Sequence, residues 1–480
     1  MTMKLSIYST FILFIAVTLS SCTKKTENTQ NAKQVVKDST LNYEPYTPRG
    51  NEIIISREAY QQKLYGFWLA QCIANWTGLI TEMDKIGGEG MDGRGAGFYT
   101  RENWGGPDHP NLWSIDNLNA LADTIDFYFV DEGEVWGADD DTDIEYMYQY
   151  ITYNNKVSKL SAEQIRDGWL KHIYSDENTP FKSGNGQPEN FLWVSNQTAH
   201  DLMREGMLPP ETSDPANNPN FEMIDAQLTT EIFGFFAPGR PEVALDLAYL
   251  PIRTTARENA AWISEFYVIM YSLAATVDTS KSMKEQVFWL AEKASERLPK
   301  GSYSAIMYDF IKAQYEKGIP WEAARDSLYE KYQVRNEDGY LAPTQEPACK
   351  GCFAAGINFG ASLVSLFYGE GDIKETIKIG ALAGWDSDNP TATWGGLLGF
   401  MLGKQGVEKA FGRKFSDKFN IHRTRGGFEN GIDTFENMAK TGVFIVDRVV
   451  QEKMKGGVGL EKNVWYLPKS ELNIQPSKDD

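Results

Sequence analysis

Apolar residues recur at helical spacing along most of this 480-residue chain, and strand-like alternation is scarce. No other feature limits the fold as strongly. A parallel sheet needs apolar strand segments alternating with its helices, and the chain offers few. The spacing predicts helices over residues 57–73, 141–154, 242–250, 258–277, 283–297, 302–316, 355–367, 373–383 and 391–402, and hence an all-α fold. Residues 258–277 are nearly apolar but carry Ser264 and Glu265, so they read as a buried core helix rather than a membrane span. No repeat of fixed period and no heptad array interrupts the pattern. Two long polar connections, near residues 85–135 and 179–220, are rich in Gly, Pro, Asn and Trp, and connections of that length are unusual unless functional. Trp104, Trp113, Trp136 and Trp193 lie in or beside them. Each suits the wall of a cleft that grips a sugar or base ring, or equally a pin that holds a loop.

The N-terminus sets an expected compartment. Lys4 precedes an apolar run, residues 7–19, that is short for a membrane span, and Leu19-Ser20-Ser21-Cys22 follows. Residues 1–21 read as a bacterial lipoprotein signal, with an ordinary cleaved signal as the alternative. Cys22 reads as the lipidated residue, which would hold the protein to a membrane outside the cytoplasm, on the periplasmic or outer-membrane face. Residues 22–50 are polar and aperiodic, a flexible tether, and residues 51–475 form the folded domain. With 42% hydrophobic and 13% aromatic residues that domain can bury a large core. A net charge of −19 argues against a nucleic-acid surface, which would need a basic stripe. Four cysteines do not make a disulfide framework; Cys349 and Cys352 read as packed thiols or a local bridge, and a redox motif would want a βαβ setting that is absent.

Chemistry concentrates in acidic clusters. The first, Gly137-Ala138-Asp139-Asp140-Asp141-Thr142-Asp143, crowds carboxylates that repel one another unless a counter-ion is near. Asp139, Asp141 and Asp143 fit the opening positions of an EF-hand loop. Ile144, however, stands where Gly is required and Tyr150 where the bidentate Glu belongs, so that loop is excluded. A solvated acidic helix start, favoured by the helix dipole, is the bland alternative. The second, Gly384-Trp385-Asp386-Ser387-Asp388-Asn389-Pro390, precedes a helix with Gly395, Gly396, Gly399 and Gly403; an N-cap with Pro in the first turn explains one of its polar residues but not all. Carboxylate and amide oxygens suit magnesium, manganese or calcium, whereas zinc calls for His or Cys. A third element, residues 66–82, is a small-residue helix that runs into Glu82.

The three elements, in this order, resemble the ADP-ribosylglycohydrolase family. Its members open with a Gly-rich helix ending in Glu, continue to Thr-Asp-Asp-Thr at a helix start, and close with Gly-Gly-Asp-Thr-Asp-Thr before a Gly/Ala helix. The resemblance covers roughly residues 57–406, with the two polar connections as insertions. It implies an orthogonal helical bundle holding two divalent cations, magnesium or alternatively manganese, beside the anomeric carbon of a ribose ring. It implies Asp140, Asp141, Asp386 and Asp388 as metal ligands and Glu82 as ligand or water-positioning base, with Glu82, Asp140 and Asp141 as the catalytic set. Asp139 and Asn389 stand where relatives carry threonine and are counted with the metal-binding residues; Asn75 stands where they carry Asp. The expected partner is a small-molecule or glycoconjugate substrate with a ribose-like ring, and a monomer is expected. A metal-independent two-carboxylate glycosidase and a non-enzymatic glycan-binding lipoprotein are the rival readings.

Overall fold

The computed structural model describes residues 36–110, 112, 121–183, 186–469 and 474–475. The signal segment, Cys22 and Trp113 lie outside the described residues. Lys37–Asp480 forms one unit, mainly helical, with two small three-stranded sheets among the described residues. One sheet pairs the strand Ile53–Ser56 antiparallel with Val464–Leu467, which also pairs with Gly457–Gly459, so the two ends of the domain are stitched together. Below that seam, buried Arg57 makes two short bonds to Asp447, at 2.8 and 2.6 Å.

The first helix, Arg57–Gly78, begins where the Ser56 hydroxyl accepts the Ala59 N–H, a standard N-cap. It is buried without a break from Leu64 to Gly78 because its partner lies unusually close. Gly66, Ala70, Ala74 and Gly78 form a ridge of small residues at four-residue spacing, which lays them on one face. That ridge packs antiparallel on Gly395, Gly399 and Gly403 of the Asp388–Phe411 helix, which bends at Gly403 (φ +68°). A Cβ on Gly66 would fall 2.3 Å from the Gly399 carbonyl oxygen, one on Gly395 2.2 Å from Ala74 Cβ, and one on Gly78 2.4 Å from Asp388 Cα. Here lies the link from sequence to site: the glycine seam delivers Asp388 to the end of the first helix, four residues before Glu82. Gly66→Ala must push backbone rather than a flexible side chain, so it is expected to cost about 1–3 kcal/mol. Urea denaturation measures this, and a loss below about 0.5 kcal/mol would mean the seam is looser than drawn.

Around this pair pack the helices Glu258–Ala274, Ala355–Gly369, Ile373–Ala383 and Phe435–Glu452. Ile373–Ala383 has the bounds its periodicity predicts. The late helix starts at Asp388 rather than at residue 391, because Pro390 sits in the first turn, where its missing N–H is no loss. The 179–220 connection contains a helix, Val194–Arg204; in the 85–135 connection the described residues hold only a 3-10 turn, Arg101–Asn103. Cys349 and Cys352 are joined as a disulfide, the local bridge of the two alternatives. Trp136 is fully buried and donates its indole N–H to Ser416 O, and Trp104 packs edge-on against Phe127. Both are loop pins rather than cleft walls.

Candidate metal centre

The middle cluster stands at a helix start. Asp139 is the extended N-cap of Asp140–Asn154, its N–H donating to the Thr142 hydroxyl at 3.1 Å, and Asp140, Asp141 and Asp143 fill the first turn, where the helix dipole favours negative charge. The late cluster is held by its backbone. Trp385, at φ +58°, donates its N–H to Lys85 O and accepts the Met83 N–H, both at 2.9 Å, which clasps the segment after Glu82 to the one before Asp386. The Ser387 hydroxyl donates to Gly78 O at 2.9 Å and completes the junction.

These constraints bring six carboxyl groups together. Oxygens of Glu82, Asp386 and Asp388 lie within 4.8 Å of one another, and so do oxygens of Asp139, Asp140, Asp141 and Asp388. Asp388 belongs to both groups. Asn75 Nδ2 reaches Asp139 at 3.0 Å and Asp141 and Asp388 at 3.4 Å, so the amide where relatives carry Asp ties three carboxylates together. Asn389 lies beside them: its Oδ1 accepts from Gln227 Nε2 at 3.1 Å and its Nδ2 donates to Asp141 at 3.3 Å. Its side chain thus links Gln227 to Asp141.

Burial and mutual repulsion push these acids upward. Burial, followed by the charge of Asp388, raises Glu82, Asp141 and Asp386 well above the carboxylate range; burial, then Asp139, does so for Asp140. Asp139 is pushed up to about 7 by burial and Asp388, despite the Asn75 hydrogen bond. Compensating cations are few. Arg423 lies near Asp139 but is stacked 4.1 Å over the Trp76 ring, and buried Arg425 pairs with Asp143 at 3.1 Å. The donor set is all oxygen, and Asp388 Oδ1 and Asn75 Oδ1 are buried without a hydrogen-bond partner. Hard divalent cations fit this arrangement, since they would supply the charge and coordination that the protein itself does not.

A stability signature follows for the chelated protein. A carboxyl whose folded pKa is raised contributes stability fully present below its unfolded value, near 4, and lost as pH rises through the folded value. For Asp139 the loss runs from about pH 4 to about 7, and for Asp143 and Asp225, raised by burial to about 6, it runs to about pH 6. His172, which burial lowers to about 4, opposes this as pH falls from 6.5. Melting temperature in EDTA should therefore be higher at pH 5.5 than at pH 7.5, and excess magnesium should shrink the difference. A flat or rising profile in EDTA would contradict the crowding.

Beside the carboxyls opens a cleft of about 850 Å³ lined by Trp76, Glu82, Asp139, Phe191, Trp193 and Arg423, among others. Among the described tryptophans singled out from sequence, Trp193 lines this cleft. Gln227, Arg425 and Phe191 have no local signature; only the surplus charge of Asp143 hints that a distant cation must meet it. The family model for ADP-ribosylglycohydrolase matches residues 56–440, which spans the first helix and all three acidic elements. The chain belongs to the ADP-ribosylglycohydrolase family. An "ADP-ribosylglycohydrolase-related protein complex" is a similar solved structure, at 14% identity and a TM-score of 0.40, covering 82% of this chain and 99% of its own. No curated protein is similar enough to count as a match. Within the ADP-ribosylglycohydrolase family a glycosidic-bond hydrolase is the activity indicated, and the acidic clusters are where metal ions could sit.

Proposed function

We propose that this member of the ADP-ribosylglycohydrolase family is a metal-dependent hydrolase that cleaves an N- or O-glycosidic bond at the anomeric carbon of ADP-ribose or a related ribosyl or furanosyl substrate. The observation that carries the reading is Asp388, common to two groups of carboxyl oxygens and left with a buried, unpartnered oxygen. Asp139, Asp140, Asp141 and Asp388 would hold one divalent cation, and Glu82, Asp386 and Asp388 the other. Magnesium is the proposed metal, with manganese as the alternative. When bound, such a pair lowers the pKa of water and fixes vicinal hydroxyls of a furanose.

The chain's own residues do the rest. Glu82 lines the cleft beside the acid cluster, where its carboxylate can take the proton of an attacking water. The surrounding carboxylates form a negative wall that favours an oxocarbenium-like transition state. Asn75 and Asn389 keep Asp139 and Asp141 turned to the site. Trp76, Phe181, Phe191 and Trp193 line the same cleft as Glu82. Cys22 is proposed as the lipid anchor that holds the enzyme outside the cytoplasm.

A metal-independent pair of carboxylates is the weaker reading, because such pairs stand about 5–9.5 Å apart, one protonating the leaving group and the other, ionised, attacking the sugar or activating a water. Here the oxygens crowd within 4.8 Å. The test is product formation on ADP-ribosyl conjugates and aryl furanosides with magnesium, with EDTA, and after magnesium is restored. Activity lost in EDTA and regained with magnesium is expected; activity indifferent to EDTA would overturn the proposal.

A further inference from the structure

The turn that carries Asp386 is tied to a second loop, the one closed by the Cys349–Cys352 disulfide. Two buried amides make the connection. The Trp385 indole N–H donates to Gln333 Oε1 at 2.8 Å, and Gln333 Nε2 donates to the Lys350 carbonyl at 3.0 Å. The Asp386 N–H donates to Asn358 Oδ1 at 3.3 Å, and Asn358 Nδ2 donates to the Cys352 carbonyl at 2.9 Å and to Ala354 O at 3.0 Å. Each amide thus presents its oxygen to the Asp386 turn and its nitrogen to the disulfide loop. Gln333 lies in a π-turn, Glu330–Val334, a local irregularity that often marks functional positions. Trp385, Asn358 and Cys352 are fully buried and Gln333 nearly so, which keeps water from replacing these bonds.

The loop is short and close to the surface. Glu346 accepts the N–H groups of Cys349 and Gly351, at 3.3 and 3.0 Å, and the disulfide supplies the covalent closure. Pro347, Ala348 and Lys350 are exposed beside buried Cys349, so a single layer of chain covers the bridge. Once the bridge opens, its two sulfurs must separate from bonding to van der Waals distance, and in a close-packed interior at least one cysteine has to shift. The carbonyls of Lys350 and Cys352, which the two amides grip, lie on that same stretch of backbone. Phe353, the next residue, lines the cleft.

We infer that Gln333 and Asn358 are positioning residues for Trp385 and Asp386, and that they fix this turn only while the Cys349–Cys352 bridge is closed, so that reduction weakens the cation site formed by Glu82, Asp386 and Asp388. This rests on the two-cation reading above and adds a control to it. Groups that orient a ligand without touching the ion commonly change metal affinity by about 10–100-fold when they are lost. A dithiol carries out the opening. Its thiolate bonds to one bridge sulfur, the other cysteine leaves as a thiolate that takes up a proton, and the second dithiol sulfur then displaces the first cysteine. The bridge gains two electrons and two protons, and the dithiol ends as a cyclic disulfide.

Manganese titration, followed by the paramagnetic resonance of the free ion, tests this on oxidised protein and on protein reduced with dithiothreitol that is removed before the titration. The oxidised protein should bind two ions. Reduction should weaken one of them about tenfold and the other by less than about threefold, and reoxidation with glutathione disulfide should restore both. Gln333→Ala and Asn358→Ala should imitate reduction while the bridge stays closed. In Asp386→Asn, which lacks the affected site, reduction should change the remaining affinity by less than about threefold. A bridge that only stabilises the fold would lower the melting temperature in EDTA and leave both affinities alone. That result, or equal weakening of both ions, would overturn the inference. A second readout needs no metal: in EDTA, the indole N–H resonance that moves in Gln333→Ala should also move on reduction, and an unmoved indole would overturn the inference too. An oxidised protein that binds no manganese would remove the two-cation reading instead, with the indole still deciding whether the bridge positions the turn.

Discussion

Asp388→Ala is expected to abolish turnover and to flatten the rise of melting temperature with magnesium. The residue serves both carboxyl groups, so its loss breaks both candidate ion sites together. A ligand at a hundred times its dissociation constant stabilises the native state by about 2.7 kcal/mol, and that increment should be missing from the variant. The variant should nevertheless fold. In EDTA it should melt at or above the wild type, since one charge has left a crowd whose members Glu82, Asp141 and Asp386 all feel it. That combination, a more stable apo protein that no longer answers to metal, separates loss of a ligand from loss of structure. Asn389→Ala should be milder, because it removes a hydrogen bond to Asp141 rather than a carboxylate. Thermal melts against magnesium together with hydrolysis rates provide the check, and near-normal turnover in Asp388→Ala would sink the two-metal reading.

Arg425→Met should produce the largest loss of stability. Arg425 and Asp143 are both fully buried, and the Thr424 hydroxyl also donates to Asp143. Removing the guanidinium leaves a buried carboxylate with that hydroxyl alone and strands the carbonyls of Asn190 and Phe191. Breaking a buried pair of this kind costs about 3–5 kcal/mol. Replacing both partners by apolar residues should be gentler than replacing one, so Arg425→Met with Asp143→Leu should recover a good part of the loss. Burial already raises Asp143 to about 6, and without its partner it should titrate higher still, which makes the single variant relatively more stable toward acidic pH. Urea midpoints of the two variants decide the matter. A single variant within about 1 kcal/mol of wild type, or a double variant no better than the single, would show that the pair carries little.

What the sequence discloses divides along a physical line. Periodicity is local, so helices such as Ile373–Ala383 and Met283–Ser295 can be read within a residue or two. Crowded carboxylates are also local, and their convergence could be anticipated because each cluster alone is electrostatically unreasonable. Partners chosen by packing are not local. Nothing near Gln227 shows that it will hold the Asn389 carbonyl, and nothing in Thr424-Arg425-Gly426 shows that this arginine will cross the fold to Asp143. For Trp136 and Trp104 position alone could not choose between cleft wall and loop pin, since a tryptophan in a loop serves burial as readily as binding.

The glycine seam works as a ruler with coarse divisions. Small residues every four positions on one helix fit glycines on the other, so a neighbouring register that still interdigitates is displaced by a full repeat, about 6 Å along the axis. Such a slip exceeds the 4.8 Å that gathers the carboxyl oxygens and would pull Asp388 away from Glu82. A chain trapped one notch out could keep much of its helix content yet fail to bind cations. Metal loading would then report on correct assembly as well as enabling catalysis, and refolding in the presence of magnesium would draw misaligned chains toward the one alignment in which both groups of oxygens close.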